Sequence, residues 1–287
     1  MATKYVYFFG NGKAEGRGNQ KQLLGGKGAG LAEMTNIGLP VPAGFTITTQ
    51  ACKEYYDHGK KRPTGLDQEI KAHLVKLEKA CKKKLGDPND PLLVSVRSGS
   101  AVSMPGMMET VLNLGLNDRS VEGLARCTGN PRFAWDSYRR FIQMYSTVVV
   151  GLSKEILEEK LGGMKARLNI RLDTDLTADN LRDLCGEFKA FFREQVGEDF
   201  PQSPWDQLVG AIGAVFGSWM AEKAVKYREV EKIYGLPGTG VSICQMVYGN
   251  MGDDSGTGVC FTRDPSSGEN VFYGDLLMNA QGEDVVA

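Results

Sequence analysis

The chain has 287 residues, 41% of them hydrophobic, with 34 basic and 35 acidic side chains and a formal net charge of -1. That length and apolar content suffice for a sizeable core and about two domains, while the balanced charge removes any bulk attraction to nucleic acid or to an anionic membrane. Six widely spaced cysteines with no Cys-x-x-Cys pair argue against a disulfide framework or a zinc site, and for reduced thiols in a cytosolic setting.

Met1-Ala2-Thr3-Lys4 leads straight into the strand-like Tyr5-Val6-Tyr7-Phe8-Phe9, so the N-terminus lacks a signal-peptide layout. Leu23-Leu24-Gly25-Gly26-Lys27-Gly28-Ala29-Gly30 comes next, just ahead of an apolar helical pattern. Glycines let a backbone approach an anion closely and take positive φ, and Lys27 adds a compact cation at a helix N-terminus; the run reads as a phosphate-gripping loop. It is not a Walker A loop, which needs a glycine where Lys21 stands and a hydroxyl where Gly28 stands. Nor is it a dinucleotide fingerprint, because Leu31, Ala32 and Glu33 follow Gly30 with no third glycine. A glycine-rich turn that caps a helix is the alternative for the same residues.

Residues 41–48 read as a strand after Gly38-Leu39-Pro40, and Ile70, Leu74, Leu77, Cys81 and Leu85 fall at helical spacing before the stop at Gly86-Asp87-Pro88. Lys82, Lys83 and Lys84 complement the dipole at that helix's end. His58 and His73 have no partner motif and read as structural. The apolar, β-branched residues 91–96 deliver Arg97 to a strand end, into Ser98-Gly99-Ser100-Ala101-Val102-Ser103-Met104-Pro105-Gly106. An arginine entering a loop of hydroxyls and glycines suits bidentate recognition of phosphate, with an ordinary surface turn as the alternative.

From about residue 117 to 202 the pattern is largely helical, with Phe133, Ser137, Phe141, Met144 and Tyr145 on a core face and Arg139 and Arg140 pointing elsewhere, Arg140 into a surface salt bridge or, as the alternative, towards a nucleotide cleft. A second helical block covers residues 206–228 and ends in the breaker-rich residues 234–240. No apolar run approaches the ~20 residues of a membrane span. Strand-like runs at 241–248 and 259–262 then enclose residues 249–258, long for a hairpin connection, which read as a lid over a nucleotide or as a bare mobile tip.

Six separated blocks, GGKGAGLAEM, LLVSVRSG, SMPGMMET, GNPRFAWDSYRRFIQMYS, SGTGVCFTRDPSSGE and NAQGEDVV, agree in order and spacing with one family. Over essentially its whole length the chain resembles the N-terminal nucleotide-binding part of the pyruvate, phosphate dikinase family, within the wider group of phosphoenolpyruvate-utilising enzymes. The resemblance implies an α/β (α+β), ATP-grasp-like fold, incomplete at the C-terminus, with a helical insert. Residues 1–116 with 203–246 would form the first lobe, 117–202 the insert, and 247–287 the start of a second lobe with its lid hairpin.

The same resemblance implies roles for particular residues. Lys27 and Arg97 look like the phosphate-contacting catalytic pair, Gly106 lines the nucleotide site, and Gln245, Met246 and Val247 lie beside the adenine. Thr257 and Gly258 resemble the lid over the terminal phosphates. Glu283 and Asp284 would orient the polyphosphate or its metal, a solvated acidic turn being the alternative. The implied cofactors are ATP and Mg2+, with the metal's ligands expected beyond Ala287 and none within the chain. Pyruvate and phosphate would be met only through absent domains, a phosphohistidine carrier and a pyruvate-binding barrel, so the chain would be inactive alone. The intact enzyme would be a cytoplasmic homodimer without nucleic-acid or membrane partners. It would convert ATP, pyruvate and phosphate to AMP, phosphoenolpyruvate and diphosphate. Phosphoenolpyruvate synthase and a non-catalytic nucleotide-binding module are the alternatives.

Overall fold

Short apolar segments far apart in the chain build one antiparallel sheet in the computed structural model, which describes residues 3–285. Its strands are β1 (Val6–Gly10), β2 (Lys13–Ala14), β3 (Gly44–Ile47), β6 (Val94–Gly99), β7 (Thr110–Leu114) and β8 (Gly240–Gln245), in the order β2-β1-β3-β8-β6-β7. Between them β4 (Lys84–Leu85) and β5 (Pro91–Leu92) form a small parallel pair, and β9 (Gly256–Phe261) with β10 (Tyr273–Met278) makes a separate hairpin sheet. Strand β8 returns from the far side of the helical stretch and pairs with both β3 and β6.

The register fixes what each face offers, because successive side chains alternate sides. Phe45, Ile243 and Val96 stand opposite one another, as do Thr46, Ser242 and Arg97. One face therefore carries Phe45, Ile47, Val94, Val96, Val241 and Ile243, all with 0% exposure. The other is polar, with Thr46, Ser242, Ser95, Cys244 and Arg97, and the Thr46 and Ser242 hydroxyls meet at 3.2 Å.

Nine helices of nine residues or more intersperse with the strands among the described residues: α1 (Lys21–Asn36), α2 (Thr49–Asp57), α3 (Leu66–Cys81), α4 (Ser120–Thr128), α5 (Pro131–Met144), α6 (Lys154–Leu168), α7 (Ala178–Val196), α8 (Pro204–Ser218) and α9 (Glu222–Val230); a π-helical segment, Tyr145–Val150, continues α5, and a single-turn helix, Gly282–Val285, follows β10. Their starts are written locally. Thr48, Asn130, Ser153, Thr177 and Ser203 each accept a first-turn N–H, and Pro131 and Pro204 begin helices where no donor is needed. Helix α5 buries Phe133, Tyr138, Phe141 and Ile142 against Leu181, Leu184 and Phe188 of α7.

Several expectations from the sequence need correction. Helix α3 stops at Cys81 because Lys82 turns left-handed (φ 56), and Leu85 joins β4 instead of continuing the helix. Strand β6 runs on to Gly99, so Arg97 lies inside the strand and not at its end. Arg139 does not point away from the core: it is 5% exposed, its guanidinium 2.7 Å from Asp136, whose charge makes burial tolerable. The runs flanking residues 249–258 are not partners, since β8 belongs to the large sheet and β9 pairs with β10. Finally, Pro204–Val230 is long and apolar enough to cross a membrane, with a mean hydropathy of 1.2. It is two helices, and Leu208, Ala211, Ile212, Val215 and Phe216 on the first are wholly buried, so its apolarity serves the core.

Candidate functional site

Helix α1 is broken at Gly25, whose backbone (φ 71, ψ 167) lies outside helical space. A side chain here forces the backbone to shift: a Cβ on Gly25 would stand 1.7 Å from the Gly99 carbonyl oxygen. The helix restarts with the Gly26 N–H donating to the Ser100 carbonyl at 2.8 Å, and Gly28 sits so close to Thr46 that its Cβ would meet Cγ2 at 2.6 Å. The glycines of this run thus seat the helix on the polar face of the sheet. Their first role is packing, and Lys27 belongs to the first turn of the restarted helix instead of a loop.

That seating places Lys27 over the end of β6. A Cβ on Gly99 would lie 3.3 Å from the Lys27 Cβ and 3.7 Å and 3.9 Å from the backbone nitrogens of Lys27 and Gly28. First-turn N–H groups of a helix therefore face the loop after Arg97, an arrangement that favours anions. A cavity of about 410 Å³ opens there, with Lys27, Ser98, Ser100, Ser103 and Gly106 among its walls. Gly106 takes φ +71 with open space beside its α-carbon. The Ser100 hydroxyl is buried and makes no hydrogen bond to the described residues.

Charge marks this wall out. The ammonium of Lys27 is crowded by protein on one side although the residue as a whole is exposed; burial first and the Arg97 guanidinium second push its pKa below the ordinary lysine value. Among the described residues neither Lys27 nor Arg97 has an ion-pair or hydrogen-bond partner for its side chain. Two adjacent cations without a counter-charge form a seat for an anion.

A second cationic cavity, of about 770 Å³, is lined by Arg139 and Arg140, and it differs in this respect. Arg139 and Arg140 both bind Asp136, and Arg140 also lies 3.4 Å from Asp284. Burial pushes the Asp136 carboxyl up, but Arg139 and Arg140 outweigh it and hold the group below the usual carboxylate range.

Gln245, Met246 and Val247 line a third cavity, of about 320 Å³, walled by Leu93 and Leu124. The Met246 N–H donates to Leu93 at 2.9 Å, and the Gln245 side-chain oxygen accepts from the Cys81 thiol at 3.2 Å. Leu93 at this cavity and Ser98 at the Lys27 cavity are five residues apart in the chain, with Arg97 between them.

The remaining candidates lie elsewhere. Thr257 and Gly258 are on β9, not in a loop; the Thr257 hydroxyl donates to the Ala280 carbonyl at 2.6 Å, and Gly258 pairs with Leu276. The side chain of Glu283 lies outside the described residues. Asp284 accepts from Arg140 and from the Gln281 N–H. The donors on the Lys27 wall are cationic and hydroxylic, which fits a polyanion and not a metal cation. Among the described residues no group of three or more His, Cys, Asp or Glu side chains is gathered as metal ligands. Ser100 belongs to the hydroxyl loop that the sequence marks after Arg97, whereas Thr239 carries no such signal, because a hydroxyl in a breaker-rich stretch looks like any turn residue.

Comparison with known proteins gives this geometry its context. The family described as pyruvate phosphate dikinase, AMP/ATP-binding domain, matches residues 21–72 and 62–287. Chloroplastic pyruvate, phosphate dikinase of Flaveria trinervia is 56% identical over 286 residues, covering 100% of this chain and 30% of that protein. Pyruvate, phosphate dikinase of Clostridium symbiosum is 55% identical over 99% of this chain and 32% of its own length. That of Rhizobium meliloti (strain 1021) is 53% identical, with 99% and 32% covered. The chain thus spans about a third of the length of these relatives. It belongs to the pyruvate phosphate dikinase AMP/ATP-binding domain family.

Proposed function

We propose that the chain binds ATP with its polyphosphate on the Lys27–Arg97 wall and its base against residues 245–247, as the ATP-binding part of a pyruvate, phosphate dikinase. The carrying observation is the pair of adjacent cations, unpartnered among the described residues, with Lys27 lining a hydroxyl-rich cavity and Arg97 beside it. On this reading the fold is of ATP-grasp type, the helical residues 117–202 being an insert between two parts of the first lobe and β9–β10 beginning the second. Thr257 and Gly258 would then close over the terminal phosphates.

The chemistry assigned to these residues is positioning and charge neutralisation. Lys27 and Arg97 hold and offset the phosphate oxygens, and the helix N-terminus orients them, so that little reorganisation is needed when charge shifts during transfer. Magnesium, when bound, would supply further neutralisation of the polyphosphate charge. In the whole protein ATP would yield its β-phosphate through a histidine carried on another domain. Pyruvate would accept that phosphoryl group to become phosphoenolpyruvate, and inorganic phosphate would accept the γ-phosphoryl group and leave as diphosphate, with AMP released. The relatives named above are dikinases, which favours this over a phosphoenolpyruvate synthase. Six free cysteines support a reducing, cytosolic setting.

Calorimetry comparing ATP with adenosine tests the binding claim: ATP should bind far more tightly, and equal affinities would refute it. A coupled assay on the isolated chain with ATP, phosphate, pyruvate and magnesium should stay at background. Turnover above a heat-killed control would show that the carrier and pyruvate sites are not needed from elsewhere.

A further inference from the structure

Thr239 immediately precedes β8, is 0% exposed, and belongs to no group assigned above to the nucleotide. Its hydroxyl accepts the Gly99 N–H at 3.1 Å and donates to the Gly240 carbonyl at 2.9 Å. These bonds lie where three backbones meet with no side chain between them. A Cβ on Gly240 would stand 2.8 Å from the Leu24 carbonyl oxygen, 3.1 Å from that of Ile47 and 3.3 Å from that of Gly99. Across the same junction Gly25 abuts Gly99, and the Gly26 N–H holds the Ser100 carbonyl. Gly99 lies two residues after Arg97 and Gly26 one before Lys27, so the distance between the two cations is set through this contact.

We propose that Thr239 is a positioning residue for the polyphosphate seat: its hydroxyl pins the Gly99–Ser100 backbone and thereby fixes Arg97 against Lys27. It also commits the Gly99 amide to the fold, so that this N–H is not offered to the ligand. The inference rests on the reading of the Lys27–Arg97 wall as the site of the phosphates. Valine has the size and branching of threonine but no hydroxyl. In a Thr239→Val protein the buried Gly99 N–H loses its acceptor, the strand end shifts to find another, and the two cations lose their spacing. Displacements near 1 Å at such a site are enough to lose up to two decades of function.

Thr239→Val should therefore weaken ATP binding roughly tenfold or more, leave adenosine binding within about twofold, and be rescued by Thr239→Ser. Calorimetry on the three proteins reads this directly, and a merely structural role would lower both ligands together. Wild-type protein that binds ATP no better than adenosine would remove the polyphosphate seat itself. Wild-type protein that prefers ATP, with Thr239→Val keeping the same preference, would overturn the role of Thr239 while leaving the seat intact. If Thr239→Val does not fold, amide exchange on the wild type decides. The Gly99 N–H should exchange slowly and equally with and without ATP, and strong additional protection by ATP would show it to be a ligand donor and refute the proposal.

Discussion

Truncating Arg97 to alanine should weaken ATP binding by one to two decades and leave adenosine binding unchanged. The guanidinium is exposed on the polar face of the sheet and has no ion-pair or hydrogen-bond partner among the described residues, so its removal breaks nothing in the unliganded protein. What is lost is a charge-assisted bond to phosphate, typically about 1.5 to 3 kcal/mol, or roughly 12- to 150-fold in affinity. Arg97→Lys keeps the charge without the planar fork and should fall between the two. Calorimetry across adenosine, AMP, ADP and ATP is the assay: the gap between wild type and variant should open as phosphates are added, with the melting temperature unchanged. Equal losses for ATP and adenosine, accompanied by a lower melting temperature, would mean that Arg97 acts through the fold and that the reasoning is wrong.

The glycines of α1 should split by sign. Gly25→Ala meets a carbonyl 1.7 Å away at positive φ and should cost at least about 2 kcal/mol, whereas Gly30, with open space around it, should gain roughly 0.5 kcal/mol or more on becoming alanine; denaturant melts giving both the same sign would refute the packing account. Because Lys27 has a lowered pKa that phosphate should raise again, ATP binding at alkaline pH should take up protons; calorimetry in buffers of different ionisation enthalpy should show this and Lys27→Arg should abolish it. Burial pushes Glu15 up, but hydrogen bonds from Lys4, the Phe8 N–H and Lys76 outweigh it and bring the carboxyl from 4.5 down to about 2. Its stabilisation is complete above pH 4.5 and is lost as the pH falls towards 2, and for a side chain 31% exposed solvent screening trims it to about 1 kcal/mol. Glu15→Gln should flatten the acid limb of stability in that window, and an unchanged limb would contradict the assignment.

Local chemistry was legible in the sequence and long-range contact was not. Lys27 and Arg97 stood out because each is a cation set among glycines and hydroxyls. The reason for the glycines did not, since the atoms that forbid a Cβ at Gly25 belong to Gly99, far along the chain. Residues 241–248 read as one strand, yet β8 ends at Gln245 because the Met246 N–H turns to Leu93. Its position between β3 and β6 depends on pairings such as Thr46 with Ser242, 196 residues apart, which no local pattern encodes. Arg139 looked exposed by charge; its burial follows from Asp136 three residues earlier, a helical neighbour that neutralises it. Strand β7 was hidden by brevity, five residues after a methionine- and glycine-rich loop.

The central claim is that the cavity bounded by Lys27 and the residues after Arg97 holds the phosphates of ATP. The most direct measurement is a crystal structure with magnesium and a non-hydrolysable ATP analogue. The account predicts phosphate oxygens at hydrogen-bond distance, about 2.7–3.2 Å, from the Lys27 ammonium and the Arg97 guanidinium, with the base against residues 245–247. A nucleotide seated instead on Arg139 and Arg140, with Lys27 and Arg97 still facing water, would contradict it.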